Sequence, residues 1–413
     1  MRLTQQLYRQ HIGRMFKKHW VVQGQRTPII SKAFEHLKSK NIEIIDANEE
    51  FSRIKFPRID IDFNSLGQVE PAVKFDSTHP NWHEKQCHLF GDSNVLVEGT
   101  RQTQVLTNTI AFNELPAHIE QQIEEADIPV DLDKSMRKSV LASFVFDTEQ
   151  VKLEIVKDPL RPAWNFPRTY GISKDRRNRL IISRLINHCE RLVSRSILNE
   201  RKIIQNAFFV LPLVKDENLI QLELHADTFM TSSRPLKPVT EDRMKDSLLP
   251  NIFPLKDTIT IPMQNIYEIR DIYPIKSGIK FSNPHTIFLH FGTDTVKNLH
   301  ETPITDEQFE GRSLIKAFTV AATKARQQFG PNIKDLPEPI VVQSIQTTGK
   351  SFHFGIFQLN TLDLTSESGV KNVWFHKKQM NLFTECEYQV AKPVLNGYNK
   401  NVLRHFYVFY KNS

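Results

Sequence analysis

A chain of 413 residues is long enough for two or three domains and a large core, yet it holds no run of twenty apolar residues that would span a membrane. With 14 glycines it is poor in phosphate-cradling loops, and its three cysteines, Cys87, Cys189 and Cys386, are too scattered to form a disulfide framework. The formal charge of +7 is local: residues 1–34 and 172–202 are strongly basic, and the rest of the chain is net acidic.

The first segment, "MRLTQQLYRQHIGRMFKKHW", has no acid and several arginines. Tyr8, Ile12, Met15, Phe16 and His19 fall on one side of a helix. This pattern predicts a mitochondrial transit peptide over residues 1–34, against the alternative of a basic arm retained for RNA. Once such a leader is removed the chain is nearly neutral, and any nucleic-acid role must rest on patches.

Residues 35–110 read as an extended, irregular N-terminal segment, with "RIDIDF" (residues 58–63) alternating like an edge strand. Here "HEKQCH" gathers His83, Glu84, Cys87 and His88. On a helix, His83 and Cys87 would share a face, as metal ligands do. A proline turn precedes the motif and no second Cys/His pair stands elsewhere, so no metal is expected. Surface His and Glu beside a buried Cys is the simpler account.

Residues 111–413 are expected to form one globular region. "FNELPAHIEQQIEEA" predicts a short acidic helix capped by Asn113, and residues 173–201 the longest helix. Two strands should follow around the turn at residues 215–218, then a Pro-rich irregular stretch at 232–262. "HTIFLHF" reads as a buried strand. "RSLIKAFTVAATKARQQFG" reads as a helix ended by Gly330 and Pro331. "VVQSIQTTGKSFHFGIFQLNTLDL" predicts a hairpin, with Phe352 and Phe354 on one face and His353 on the other. "VLRHFYVFY" closes the chain as a strand or short helix. Together these predict an α+β fold: a mixed, mostly antiparallel sheet, a few long helices and an extended irregular N-terminal region.

No phosphate-loop, dinucleotide or nucleophile-elbow motif occurs, and Cys189 falls on an apolar helix face. An enzyme would have only Cys87 with His83 and His88 to stand on, so none is expected, and no cofactor. The sharpest signal is basic. In "SKDRRNRLIISRLINHCERLVSRSILNERK" the apolar residues gather on one helical face. Arg177, Arg184, His188, Arg191 and Arg195 gather opposite, and Lys174, Arg176 and Arg179 thicken the N-terminal end. Guanidinium groups in a row can follow a nucleic-acid backbone, positioning a protein without reading sequence. These eight residues are the RNA-binding candidates, with an acidic protein surface or plain solvent as the alternatives.

"PEPIVVQSIQTTGKSFHFGIFQLNTLDLTSESGVKNVWF" closely resembles the C-terminal region of the metazoan mitochondrial large-subunit ribosomal protein 37 family. The likeness lies in residues 339–344, Gly349, 352–354, 357–361, 363–364 and 369–372. "KQCHLFGDSNVLVEGTRQTQVLTNT" and "PHTIFLHF" resemble two further family segments. The resemblance spans roughly residues 82–374 with gaps, and it brings no catalytic motif. It implies a structural protein of the mitochondrial large ribosomal subunit that binds rRNA and neighbouring ribosomal proteins. It also implies pairing with a paralogous partner, mitochondrial ribosomal protein 30. A free mitochondrial RNA-processing or ribosome-assembly factor is the alternative. For His353 it leaves a hydrogen-bonding or contact role.

Overall fold

The computed structural model describes residues 32–45, 85–153, 160, 163, 170–241, 247–266, 269–365, 369–390 and 392–413. The chain divides into two units, Met1–Lys74 and Phe75–Ser413. In the first, helix α1 (Lys32–Ser39) is described. Of the leader expected over residues 1–34, residues 1–31 lie outside the described residues, as does the "RIDIDF" strand, and residues 32–34 open α1.

The second unit is built on a nine-stranded mixed sheet. Its strands are β1 (Lys85–Gly91), β2 (Thr109–Phe112), β5 (Arg201–Lys215), β6 (Asn218–Ser232), β7 (Met263–Ile266), β8 (Asn283–His290), β9 (Asp335–Thr347), β10 (Ser351–Thr361) and β11 (Asn372–Asn381). The small pairs β3 (Val151–Lys152) with β4 (Tyr170–Gly171), and β12 (Glu385–Gln389) with β13 (Lys392–Asn396), stand apart. Five pairings in the main sheet are antiparallel and three parallel, as the sequence predicts. Residues 85–108, which read as part of an extended segment, instead supply β1 and helix α2 (Gly99–Thr107) to this unit.

The sheet forks at β6. One edge of β6 pairs with β5 along its whole length. The other edge is shared, with residues 220–223 taking β1 in parallel and residues 228–232 taking β8 antiparallel. The C-terminal ends of β1 and β8 therefore meet at the middle of β6.

Helices cover both faces. On one lies α7 (Asp306–Phe329), with α2 against it. On the other lie α3 (Ala117–Glu125), α4 (Val130–Phe144), α5 (Lys174–Leu192) and α8 (Lys400–Lys411). Each face has its own apolar core. Leu314, Ile315 and Phe318 pack on Phe209, Leu222 and Phe357. Leu185, Val402 and Phe406 pack on Phe288, Phe352 and Phe354. Period-two alternation decides which strand residue serves which core. At full burial each large apolar side chain contributes about 1.5–3 kcal/mol.

The longest helix is α7, not residues 173–201. It starts on a capping box between Thr305 and Gln308, and is buried on all sides from Gln308 to Ala325. The basic helix stops at Leu192: Val193 is extended, and Ser194 precedes the separate turn α6 (Arg195–Asn199). Ser194 and Ser196 bond each other through their hydroxyls at 2.7 Å, a local contact that competes with helix continuation. The acidic helix starts at Ala117, with Pro116 at its N-cap instead of Asn113 and no side-chain cap. Residues 400–411 resolve the strand-or-helix ambiguity as a helix, at whose start the Asn399 side chain accepts the Asn401 N–H at 3.0 Å.

Candidate functional site

The basic helix α5 uses Ile181, Ile182, Leu185, Ile186 and Cys189 to pack onto the sheet. Its remaining surface is not the open arginine stripe that the spacing predicts, because α4 lies beside it. His188 is buried, with Nε2 2.9 Å from Ser139 Oγ on α4. Burial, with repulsion from Arg191 and Arg184, holds its imidazole below the ordinary range. Arg177 is half-buried over the Phe144 ring at 5.5 Å, and burial lowers its proton affinity. Arg176 is held by Asp147 and Glu149, just beyond α4. Lys174 faces Asp294 at 3.8 Å, and Arg179 pairs with Asp175 one turn away at 2.9 Å.

What faces solvent is the ridge Asp175, Arg179, Ser183, Asn187 and Arg191, spaced by four. Arg184 is half-buried at its side, and Arg195 is exposed on α6. Arg184, Arg191 and Arg195 form no salt bridge among the described residues. Of the eight candidates, these three therefore carry charge without a salt bridge among the described residues, while exposed Arg179 is paired with Asp175.

The fork in the sheet makes the second site, a cavity of about 470 Å³ lined by Asp92, Asp175, His225, Asp227, His290, Arg312 and Lys316. Sequence reasoning missed it, since its members come from the turn after β1, from β6 and β8, and from two helices. Its charges satisfy one another. Lys316 donates to Asp92 and, at 2.7 Å, to the His225 carbonyl. His225 Nδ1 meets Asp92 at 2.7 Å, and Asp227 accepts the His290 backbone N–H at 2.7 Å. Burial would raise the Asp92 carboxyl, but Lys316, Arg312 and His225 outweigh it and hold it low. Burial and Arg312 push Lys316 down to about 8. The Arg312 guanidinium donates to Gln346 at 3.1 Å, and Ser313 meets Ser344 at 2.7 Å. These bonds form a polar seam between α7 and the sheet, which fixes the helix in rotation and register. The pair Arg312 and Lys316, four apart among the apolar residues of that helix, was a sign of this seam in the sequence.

The described part of "HEKQCH" is strand, not helix. His83 and Glu84 lie outside the described residues, while Cys87 and His88 are neighbours on strand β1 and point to opposite faces. His88 Nδ1 bonds the Ile261 carbonyl at 3.1 Å. Burial pushes the Cys87 thiol up to about 11 and raises that of Cys189, so neither is an activated nucleophile. His353 is wholly buried on the face opposite Phe352 and Phe354, with Nε2 3.2 Å from His376 Nδ1. Among the described residues, no helix is long and apolar enough to cross a membrane.

The described residues combine a forked sheet, a cavity of paired charges and an exposed basic flank. Comparison with known proteins points to ribosomal proteins. The family model for mitochondrial 28S ribosomal protein S30 (PDCD9) matches residues 295–413, from just before α7 to the last helix. Relatives named large ribosomal subunit protein mL37 match over most of the chain. That of Rattus norvegicus is 26% identical over 312 residues, covering 73% of this chain and 67% of its own. That of Gallus gallus is 26% identical over 335 residues, covering 79% and 72%, and that of Mus musculus 27% over 311, covering 72% and 67%. The chain is thus similar to mL37 ribosomal proteins over most of its length.

Proposed function

We propose that this chain is a structural protein of the mitochondrial large ribosomal subunit, supporting translation by binding the large-subunit rRNA and neighbouring ribosomal proteins. The observation that carries the reading is the match to mL37 proteins over 72–79% of the chain. The RNA-facing surface is the flank Arg179, Arg184, Arg191 and Arg195, the candidates whose charge the fold leaves most available. Residues 1–34 serve as the import leader. The S30 model matching residues 295–413 supports a paralogous partner, mitochondrial ribosomal protein 30, beside this one.

Sedimentation of mitochondrial lysate through sucrose at low and high salt tests the proposal. Co-migration with the large subunit that survives high salt is the expected result. Release by salt would point to a transient assembly or RNA-processing factor, and migration at the top of the gradient would remove the ribosomal reading.

A further inference from the structure

Three ligand atoms converge beneath the first turns of α7. His353 comes from β10, His376 from β11 and Glu310 from α7. His353 Nε2 lies 3.2 Å from His376 Nδ1, and His376 Nδ1 lies 3.6 Å from Glu310 Oε2. All three atoms fall within 4.8 Å of one another.

The backbone accounts for the convergence. A register shift between Phe352 and Phe354 breaks the β10–β11 ladder at His353, and such bulges re-aim side chains. Gly355 stands opposite His376. A Cβ at position 355 would lie 2.0 Å from the Trp374 indole, so only glycine lets that ring close over the strand beside the two imidazoles. Trp374 then stacks on His376 with 6.1 Å between centroids and 19° between planes.

A hydrogen bond between the imidazoles explains one edge of this triangle. It leaves the carboxylate at 3.6 Å, beyond the usual range of about 2.7–3.2 Å. The far ring atoms, His353 Nδ1 and His376 Nε2, are buried without a hydrogen-bond partner in either arrangement. A tetrahedral cation held at about 2.0–2.2 Å sets its ligand atoms roughly 3.3 Å apart, which fits both measured edges. Two imidazoles and a carboxylate suit zinc among the available divalent ions. Glu310, whose side chain is 12% exposed against 2% for His376, is the ligand nearer to solvent.

We propose that Glu310, His353 and His376 form a structural binding site for a zinc-class divalent cation that ties α7 to β10 and β11. The proposal stands apart from the ribosomal role, since the site is internal to the chain.

The test uses the full chain, purified, exposed to zinc and then freed of loosely held metal. Elemental analysis should find a single zinc per chain, and chelation should lower the melting temperature. Cobalt in place of zinc should give the visible bands of tetrahedral coordination. His376→Gln and Glu310→Gln should each lose the metal, whereas His290→Gln, which alters the cavity at the sheet fork, should keep it. Metal-free protein without cobalt bands, or metal retained in both His376→Gln and Glu310→Gln, would overturn the proposal and leave the imidazoles as a plain hydrogen-bonded pair. Where a variant fails to fold, the cobalt spectrum of the unaltered chain still decides.

Discussion

His285 shows how a single side chain couples the C-terminus to the sheet. Its Nε2 donates to the Asn412 carbonyl at 2.8 Å and its Nδ1 meets the Thr286 hydroxyl at 2.8 Å. Burial, with repulsion from Arg201, pushes this imidazole down to about 3. In the unfolded chain it titrates at about 6.5. The unfolded state thus takes up a proton that the folded state refuses. Stability falls as pH drops from about 6.5 toward about 3, by about 1.4 kcal/mol per unit at the limit, and this group adds no pH dependence above that window. Urea midpoints at pH 7 and pH 5 should therefore converge in His285→Gln relative to the unaltered chain; an equal acid loss in both would refute the assignment. A second residue-scale prediction concerns the crossing of α2 and α7. A Cβ at Gly311 would lie 2.6 Å from the Gly99 carbonyl carbon, and one at Gly99 2.4 Å from that of Glu307. Gly311→Ala should cost about 1–3 kcal/mol through overpacking. Gly99→Ala should cost about 1–2 kcal/mol more, because Gly99 sits at φ +52°, in the left-handed region. Denaturant midpoints would rank the two, and the reverse order would show that the backbone conformation at Gly99 matters less than the contact.

Among the elements, α8 carries most weight for its length. Val402, Leu403, Phe406, Phe409 and Tyr410 all insert into the core beneath it. The Gln343 side chain donates to the Phe409 carbonyl at 2.9 Å and accepts from Asn412 at 2.9 Å, fixing the end of the helix on β9. Five such side chains at about 1.5–3 kcal/mol each are comparable to the whole 5–15 kcal/mol by which a domain is typically stable. Deleting residues 400–413 should leave the protein insoluble or unable to unfold cooperatively. A soluble truncation with a sharp thermal transition would contradict this. The basic helix α5 teaches the complementary lesson. Its apolar face was legible from spacing, because burial on a helix follows its period. Its polar face was not. The position of α4, and the acids Asp147 and Glu149 beyond it, depend on how two helices cross, and no periodicity in α5 encodes that.

On the scale of the whole molecule, the fold separates structural cations from available ones. Arg177→Glu places an anion against Phe144 and the adjoining core, so it should lower the melting temperature. Glutamate at Arg184, Arg191 and Arg195 together should leave melting nearly unchanged and weaken incorporation into the large subunit, with the loss largest at low salt and shrinking as salt rises. Sedimentation of the triple variant checks the second half; unchanged incorporation would remove this flank from the RNA interface. The fork in the sheet is also a property of the whole. Strands β1 and β8 end against one another only because β6 is long enough to serve both, and the charged cavity follows from that meeting.

Local physics made several features readable without a structure. Alternation set Phe352 and Phe354 against His353, the turn at residues 215–218 placed the β5–β6 hairpin, and the apolar run beginning at Leu314 marked α7, because each depends on neighbours within a turn or a strand. The resemblance in residues 339–372 pointed to the family. Tertiary packing alone decided the rest. It put residues 85–108 into the sheet, buried His188 and Arg177 beneath α4, chose helix over strand for residues 400–411, and drew His353, His376 and Glu310 to one point. Each of those outcomes depends on groups far apart along the chain, whose meeting is fixed by the shared cores and not by any pattern within a single segment.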